Sequence, residues 1–112
     1  MIKIEYGLLP TESFNNYFKF LINKTYKILP MKEENSNTLK SYLESYQREL
    51  IGNQILLKEL INEPQFITVL NTIQFLISEE YSLDICRKEV FKCIHILEKI
   101  NDKYFCEEVK DG

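Results

Sequence analysis

Residues 39–60 read Leu39-Lys-Ser-Tyr-Leu43-Glu-Ser-Tyr46-Gln-Arg-Glu-Leu50-Ile-Gly52-Asn53-Gln-Ile-Leu-Leu57-Lys-Glu-Leu60. Leu39, Leu43, Tyr46, Leu50, Asn53, Leu57 and Leu60 follow one another at alternating steps of four and three. That spacing puts them on one stripe of an α-helix, whereas a half-buried strand would alternate at every second residue. An interior glycine costs about 1 kcal/mol relative to alanine, yet the stripe keeps its phase across Gly52, so one continuous helix is expected. Asn53 is the one polar member. A lone polar residue on such a seam is a known device for fixing register and partner number, which makes Asn53, Leu57 and Leu60 the expected oligomer seam.

The same grammar returns downstream. Leu83, Cys86, Val90, Cys93, Leu97, Ile100 and Tyr104 step by three and four, with Ser82 or Asp84 available to cap the helix they define. Between the two heptad runs, Asn62-Glu63-Pro64 marks a helix start, because proline is tolerated in a first turn whose N–H groups have no helical acceptor. Residues 64–78 contain no charge, and Phe66, Ile67, Val69, Leu70, Ile73, Phe75, Leu76 and Ile77 surround the axis. A helix apolar on all sides is expected to be central or buried in an interface.

Upstream, Phe14, Tyr17, Phe18, Leu21, Thr25 and Ile28 make an apolar face on a helix that Thr11 or Ser13 can cap. It is expected to stop just before Pro30. Residues 31–37 then read as a polar loop, with Asn35, Ser36 or Asn37 as the next cap. Phe20 and Tyr26 flank the polar face of the first helix, where a partner-binding surface would place aromatics. Short loops favour antiparallel neighbours, so the predicted fold is an all-α antiparallel bundle of four helices.

The N-terminus differs. Ile2, Ile4 and Tyr6 alternate with Lys3 and Glu5, the period of a strand, and Gly7 and Pro10 are expected to end it. No strand partner is evident in the chain. Such a segment leaves an unpaired hydrogen-bonding edge and must lie on the bundle, pair with another subunit or pair with a bound protein. The expected organisation is an extended arm over 1–10, a single helical domain over 11–106 and a flexible tail over 107–112.

One hundred and twelve residues suffice for one domain that buries roughly two-thirds of its unfolded surface. A hydrophobic content of 45%, a charged content of 28% and a net charge of −3 fit neither a disordered chain nor a strongly basic nucleic-acid binder. Ile, Lys, Asn, Phe and Tyr together supply 49 residues, while Ala and Trp are absent, the pattern expected of AT-rich coding in a low-GC bacterium, its phages or its mobile elements. Neither a signal-peptide core nor an apolar run of about 18 residues is present, so a cytoplasmic protein is expected. Cys86, Cys93 and Cys106 are odd in number and too widely spaced for a stapled secreted domain, and free thiols are expected.

Little catalytic chemistry is legible. His95 is the single histidine, and it stands about 200° around a helix from Cys93, so the two cannot act as a dyad or share a metal. His95 and Glu98 share a helical face, but a metal site normally needs three or four ligands. Glu33-Glu34 and Glu79-Glu80 are followed by Asn37 and Leu83 where a Glu-Glu-x-x-Glu magnesium motif requires Glu. Three glycines provide no phosphate-cradling loop. No catalytic, metal or cofactor site is expected.

The expected function is therefore non-catalytic protein contact, as an adaptor, assembly factor or inhibitor, with self-association. Ile2, Ile4, Tyr6, Phe20 and Tyr26 are the candidate partner contacts. The alternative is a nucleic-acid accessory role for Lys88, Lys92, His95, Lys99 and Lys103, which line one face of the last helix. Glu89, Glu98 and Asp102 interrupt that stripe, and the near absence of arginine disfavours base-edge reading.

Overall fold

The computed structural model describes residues 2–4, 7–9, 11–56 and 63–111, with side chains over 12–53 and 63–103. It is an all-α bundle of four helices preceded by a short β-ribbon. The elements are β1 (Ile2–Ile4), β2 (Gly7–Leu9), α1 (Thr11–Tyr26), α2 (Ile28–Glu33), α3 (Leu39–Leu56), α4 (Pro64–Ser78) and α5 (Leu83–Asp111). α2 is a short connecting piece. The 29 residues of α5 rise about 43 Å, which accounts for most of the 46 Å long axis.

Each long helix runs antiparallel to the next around a ring. Tyr17 and Lys24 of α1 bond Glu49 of α3, while Thr25 meets Tyr46, so numbers rise on one helix as they fall on the other. Gln47 of α3 bonds Gln74 of α4. Lys103 of α5 bonds Glu63 at the start of α4, and Asn101 of α5 closes the ring on Asn15 of α1. Phe14, Phe18, Leu21, Ile28, Leu43, Tyr46, Leu50, Phe66, Val69, Ile73, Leu76, Val90, Leu97 and Ile100 form the core, which is where the three- and four-residue steps place them.

Several boundaries differ from expectation for local reasons. The N-terminal strand does have a partner within the chain: β1 pairs antiparallel with β2, Ile2 opposite Leu9 and Ile4 opposite Gly7. Gly7 thus opens a second strand instead of ending the first. Pro30 lies inside α2, in its first turn, where its missing N–H is harmless. The interruption falls earlier, at Lys27, because Pro30 cannot donate to the carbonyl of Tyr26.

The polar loop is correspondingly shorter. α2 closes with Asn35 at φ 52°, the Asn35 N–H donating to Lys32 O at 3.1 Å and the Ser36 N–H to Met31 O at 2.9 Å. This paired arrangement is a Schellman cap, and asparagine tolerates its left-handed residue. Asn35 therefore ends a helix; Ser36 contributes to the next start, its Oγ accepting from the Thr38 N–H. Ser82 caps α5 through the Ile85 N–H. α5 continues to Asp111, past the expected tail boundary at 107, because no glycine or proline interrupts it before Gly112.

Candidate functional site

α3 runs unbroken through Gly52, and the described part of its heptad stripe turns inward. Leu43, Tyr46 and Leu50 are buried in the bundle's own core. Asn53 is half-buried, and its Nδ2 donates to Tyr17 Oη at 2.6 Å within the chain. Leu57 and Leu60 lie outside the described residues.

That hydrogen bond belongs to a polar network between α1 and α3. Tyr17 Oη donates to Glu49 Oε1 at 2.9 Å, and Lys24 Nζ reaches Glu49 Oε2 at 2.6 Å. Tyr42 donates to Lys24 O at 2.6 Å and Tyr46 to Leu21 O at 3.0 Å. Burial raises the pKa of Tyr17 to about 12 and also lifts Tyr42 and Tyr46, so these phenols stay protonated hydrogen-bond donors at neutral pH. The network holds two helices together and presents no activated group.

Phe20 lies beside this network, 49% exposed, with Lys24 Nζ 5.1 Å from its ring centroid and Tyr17 edge-on at 6.2 Å. Tyr26 stands on the other side of α1, edge-on to exposed Phe91 of α5 at 6.0 Å. The two aromatics thus flank different helix pairs and do not make one patch. Ile2 and Ile4 lie in β1, while Tyr6 is outside the described residues.

The lysine stripe is present, with all five members exposed along one side of α5. Two of its charges are engaged: Lys92 pairs with Glu89 at 2.6 Å and Lys103 with Glu63 at 3.1 Å. His95 faces outward and Cys93 inward, as their angular separation requires. Burial raises Cys93 to about 11 and raises Cys86 as well, which leaves both as thiols and poor nucleophiles. Among the described residues no cluster of His, Cys, Asp or Glu could hold a metal ion, and no helix is long and apolar enough to cross a membrane.

α4 is not an enclosed central helix, the first of the two placements expected for it. Phe66, Val69, Thr72, Ile73 and Leu76 are buried, but the helix is not enclosed on all sides. Ile67 and Phe75 are 42% and 36% exposed, and Gln65, Asn71, Gln74 and Ser78 also face out. Leu70 and Ile77 pack partly against the core, and exposed Ile51 of neighbouring α3 adds a further apolar side chain. A missing charge does not distinguish the inside of the bundle from an uncharged exterior, which is why the sequence leaves a central and an interface position both open. No family model, curated protein or solved structure matches the chain.

Proposed function

We propose that the protein is a non-catalytic helical interaction module, an adaptor, assembly factor or inhibitor, whose main contact surface is the outward side of α4. One observation carries this reading: the charge-free helix Pro64–Ser78 buries one side and leaves Ile67, Asn71, Gln74 and Phe75 in solvent. Interface centres are depleted of charge and enriched in aromatics, whereas ordinary exposed helix faces carry lysine and glutamate. Self-association through the same face and a cytoplasmic setting in a low-GC bacterium or its phage complete the proposal.

Ile67→Glu with Phe75→Glu, made in the full chain, tests it. The double variant is expected to keep its helical circular dichroism while losing both concentration-dependent mass in light scattering and the specific companion that co-purifies from the host. A wild-type chain that stays monomeric and an unchanged set of companions would overturn the reading.

A second reading rests on the exposed alignment of Lys88, Lys92, His95, Lys99 and Lys103, which span roughly 80° of α5. Phosphate contacts make affinity fall steeply with salt, so a salt titration with nucleic acid checks it, and no binding at low salt removes it. The ion pairs of Lys92 and Lys103 reduce the charge available to such a ligand.

A further inference from the structure

The outward side of α4 is built symmetrically about its own midpoint. Asn71 is the central residue of the 15 from Pro64 to Ser78, and it is exposed. Exposed Ile67 and Phe75 stand four positions before and after it, about 6 Å along the axis in each direction and on the same side of the helix. Thr68 and Gln74 stand three positions before and after. Reversing the helix therefore exchanges Ile67 with Phe75 and Thr68 with Gln74, apolar for apolar and polar for polar. Gln47 of α3 bonds Gln74 between antiparallel helices, so exposed Ile51 stands near the level of Leu70, beside Asn71.

Charge decides what such a face can meet. There is none from Pro64 to Ser78, so a second copy brings no like charge against its own equivalent. Asn71 can face itself, because an amide both donates and accepts, which neither a carboxylate nor an ammonium does. The ends choose the direction. Exposed Glu79 and Glu80 follow the C-terminus, while no side chain caps the N-terminus of α4, whose first N–H groups carry the positive end of the helix dipole. Two copies running the same way would set Glu79 and Glu80 against their own equivalents. Opposed copies set them beside the other copy's uncapped N-terminus, where Glu63 is already engaged by Lys103. On the α5 side, Lys92 and Glu89 pair with one another and supply the polar rim of such a contact.

We infer that the occupant of this face is a second copy of the chain, its α4 antiparallel to the first about a two-fold axis through Asn71, so that Ile67 of each copy lies against Phe75 of the other. This rests on the reading of the α4 face as the contact surface and goes further in naming partner, direction and register. A helix of 15 residues is about 22 Å long, too short to fill a standard interface of about 1,600 Å², so a dissociation constant in the micromolar range is expected.

Sedimentation equilibrium of the full chain across the micromolar range tests it. Ile67→Lys and Phe75→Glu, both at exposed positions, are each expected to weaken the dimer at least about tenfold, because each buries an unpaired charge. Combined in one chain, they are expected to bind at least about tenfold tighter than either alone, since opposed copies bring the new ammonium of each beside the new carboxylate of the other. Within one chain the two stand eight positions apart, about 12 Å, and do not pair. Asn71→Asp and Asn71→Lys are each expected to dissociate the dimer, and their equimolar mixture to reform it, because the like charges that meet on the axis become opposite. Helical circular dichroism is expected to match wild type in every variant. A combined variant no tighter than the single ones would overturn the antiparallel register, and a mixture no heavier than its components would overturn the axis at Asn71. Either result leaves the α4 face standing as a contact surface. A wild-type chain that is monomeric at every concentration would overturn the second copy as occupant, and a host companion dislodged by Ile67→Lys would then be the protein that covers this face.

Discussion

Asn53 of α3 and Tyr17 of α1 are hydrogen-bond partners at 2.6 Å, the amide donating to the phenol oxygen. This bond favours the phenolate and so opposes the rise that burial imposes on Tyr17. Asn53→Ala is therefore expected to raise the Tyr17 pKa further, read from phenolate absorbance, and to lower stability by about 1 kcal/mol in urea denaturation. Light scattering is expected to give the same mass for variant and wild type, since the bond lies within one chain.

Alkaline pH is expected to unfold the bundle progressively. Tyr17 and Tyr81 rise from 10.0 to about 12 in the folded chain, and Cys93 rises from 9.0 to about 11. A group whose folded pKa lies above its unfolded value binds its proton more tightly when folded. Its contribution is complete below the unfolded pKa and is lost as pH climbs through the folded one. Stability should hold up to about pH 9 and then fall towards pH 12, and Tyr17→Phe should make that decline shallower.

Gly52 lies in the middle of α3, exposed, with nothing within 4 Å of the position a Cβ would take. Gly52→Ala is expected to stabilise the protein by about 0.5–1 kcal/mol, because alanine loses less backbone freedom on folding and meets no neighbour. A decrease in the urea midpoint would show that the helix is not continuous there.

Glu63 is buried at the N-terminal cap of α4 and receives Lys103 Nζ at 3.1 Å. Lys103→Met leaves that carboxylate without this charged donor and is expected to cost about 1–3 kcal/mol. Glu63→Gln is expected to cost less, because it removes the charge along with its need for a partner. Thermal denaturation of the two variants side by side gives the order.

Cys86 and Cys93 are free and buried. Peptide-resolved mass spectrometry after a brief exposure to a thiol reagent is expected to find both unmodified in the folded chain and modified in urea.

The heptad steps of α3 and α5 were sufficient to name the buried residues Leu43, Leu50, Val90 and Leu97, because periodicity encodes which side of a helix faces inward. Periodicity does not encode which residue of another helix stands opposite. Tyr17 with Asn53, Glu63 with Lys103 and Asn15 with Asn101 join positions 36, 40 and 86 apart, and only packing brings them together. Pro30 was ambiguous for a different reason: the same missing N–H stops one helix and suits the first turn of the next. The sequence left a central and an interface position of α4 both open, because a charge-free and largely apolar helix suits either one.

The bond between Asn15 and Asn101 also bears on how the molecule is made. α1 packs extensively against α5, the last of the described helices to be synthesised, and not only against its neighbour in sequence. Until α5 emerges from the ribosome, Phe14, Phe18 and Leu21 lack one wall of their enclosure. Translation adds about 5–20 residues each second, so those aromatic and aliphatic surfaces stay open for seconds while the remaining helices are added. Ring closure is consequently a late and non-local event, and the nascent chain is the form of this protein in which its core residues meet other molecules.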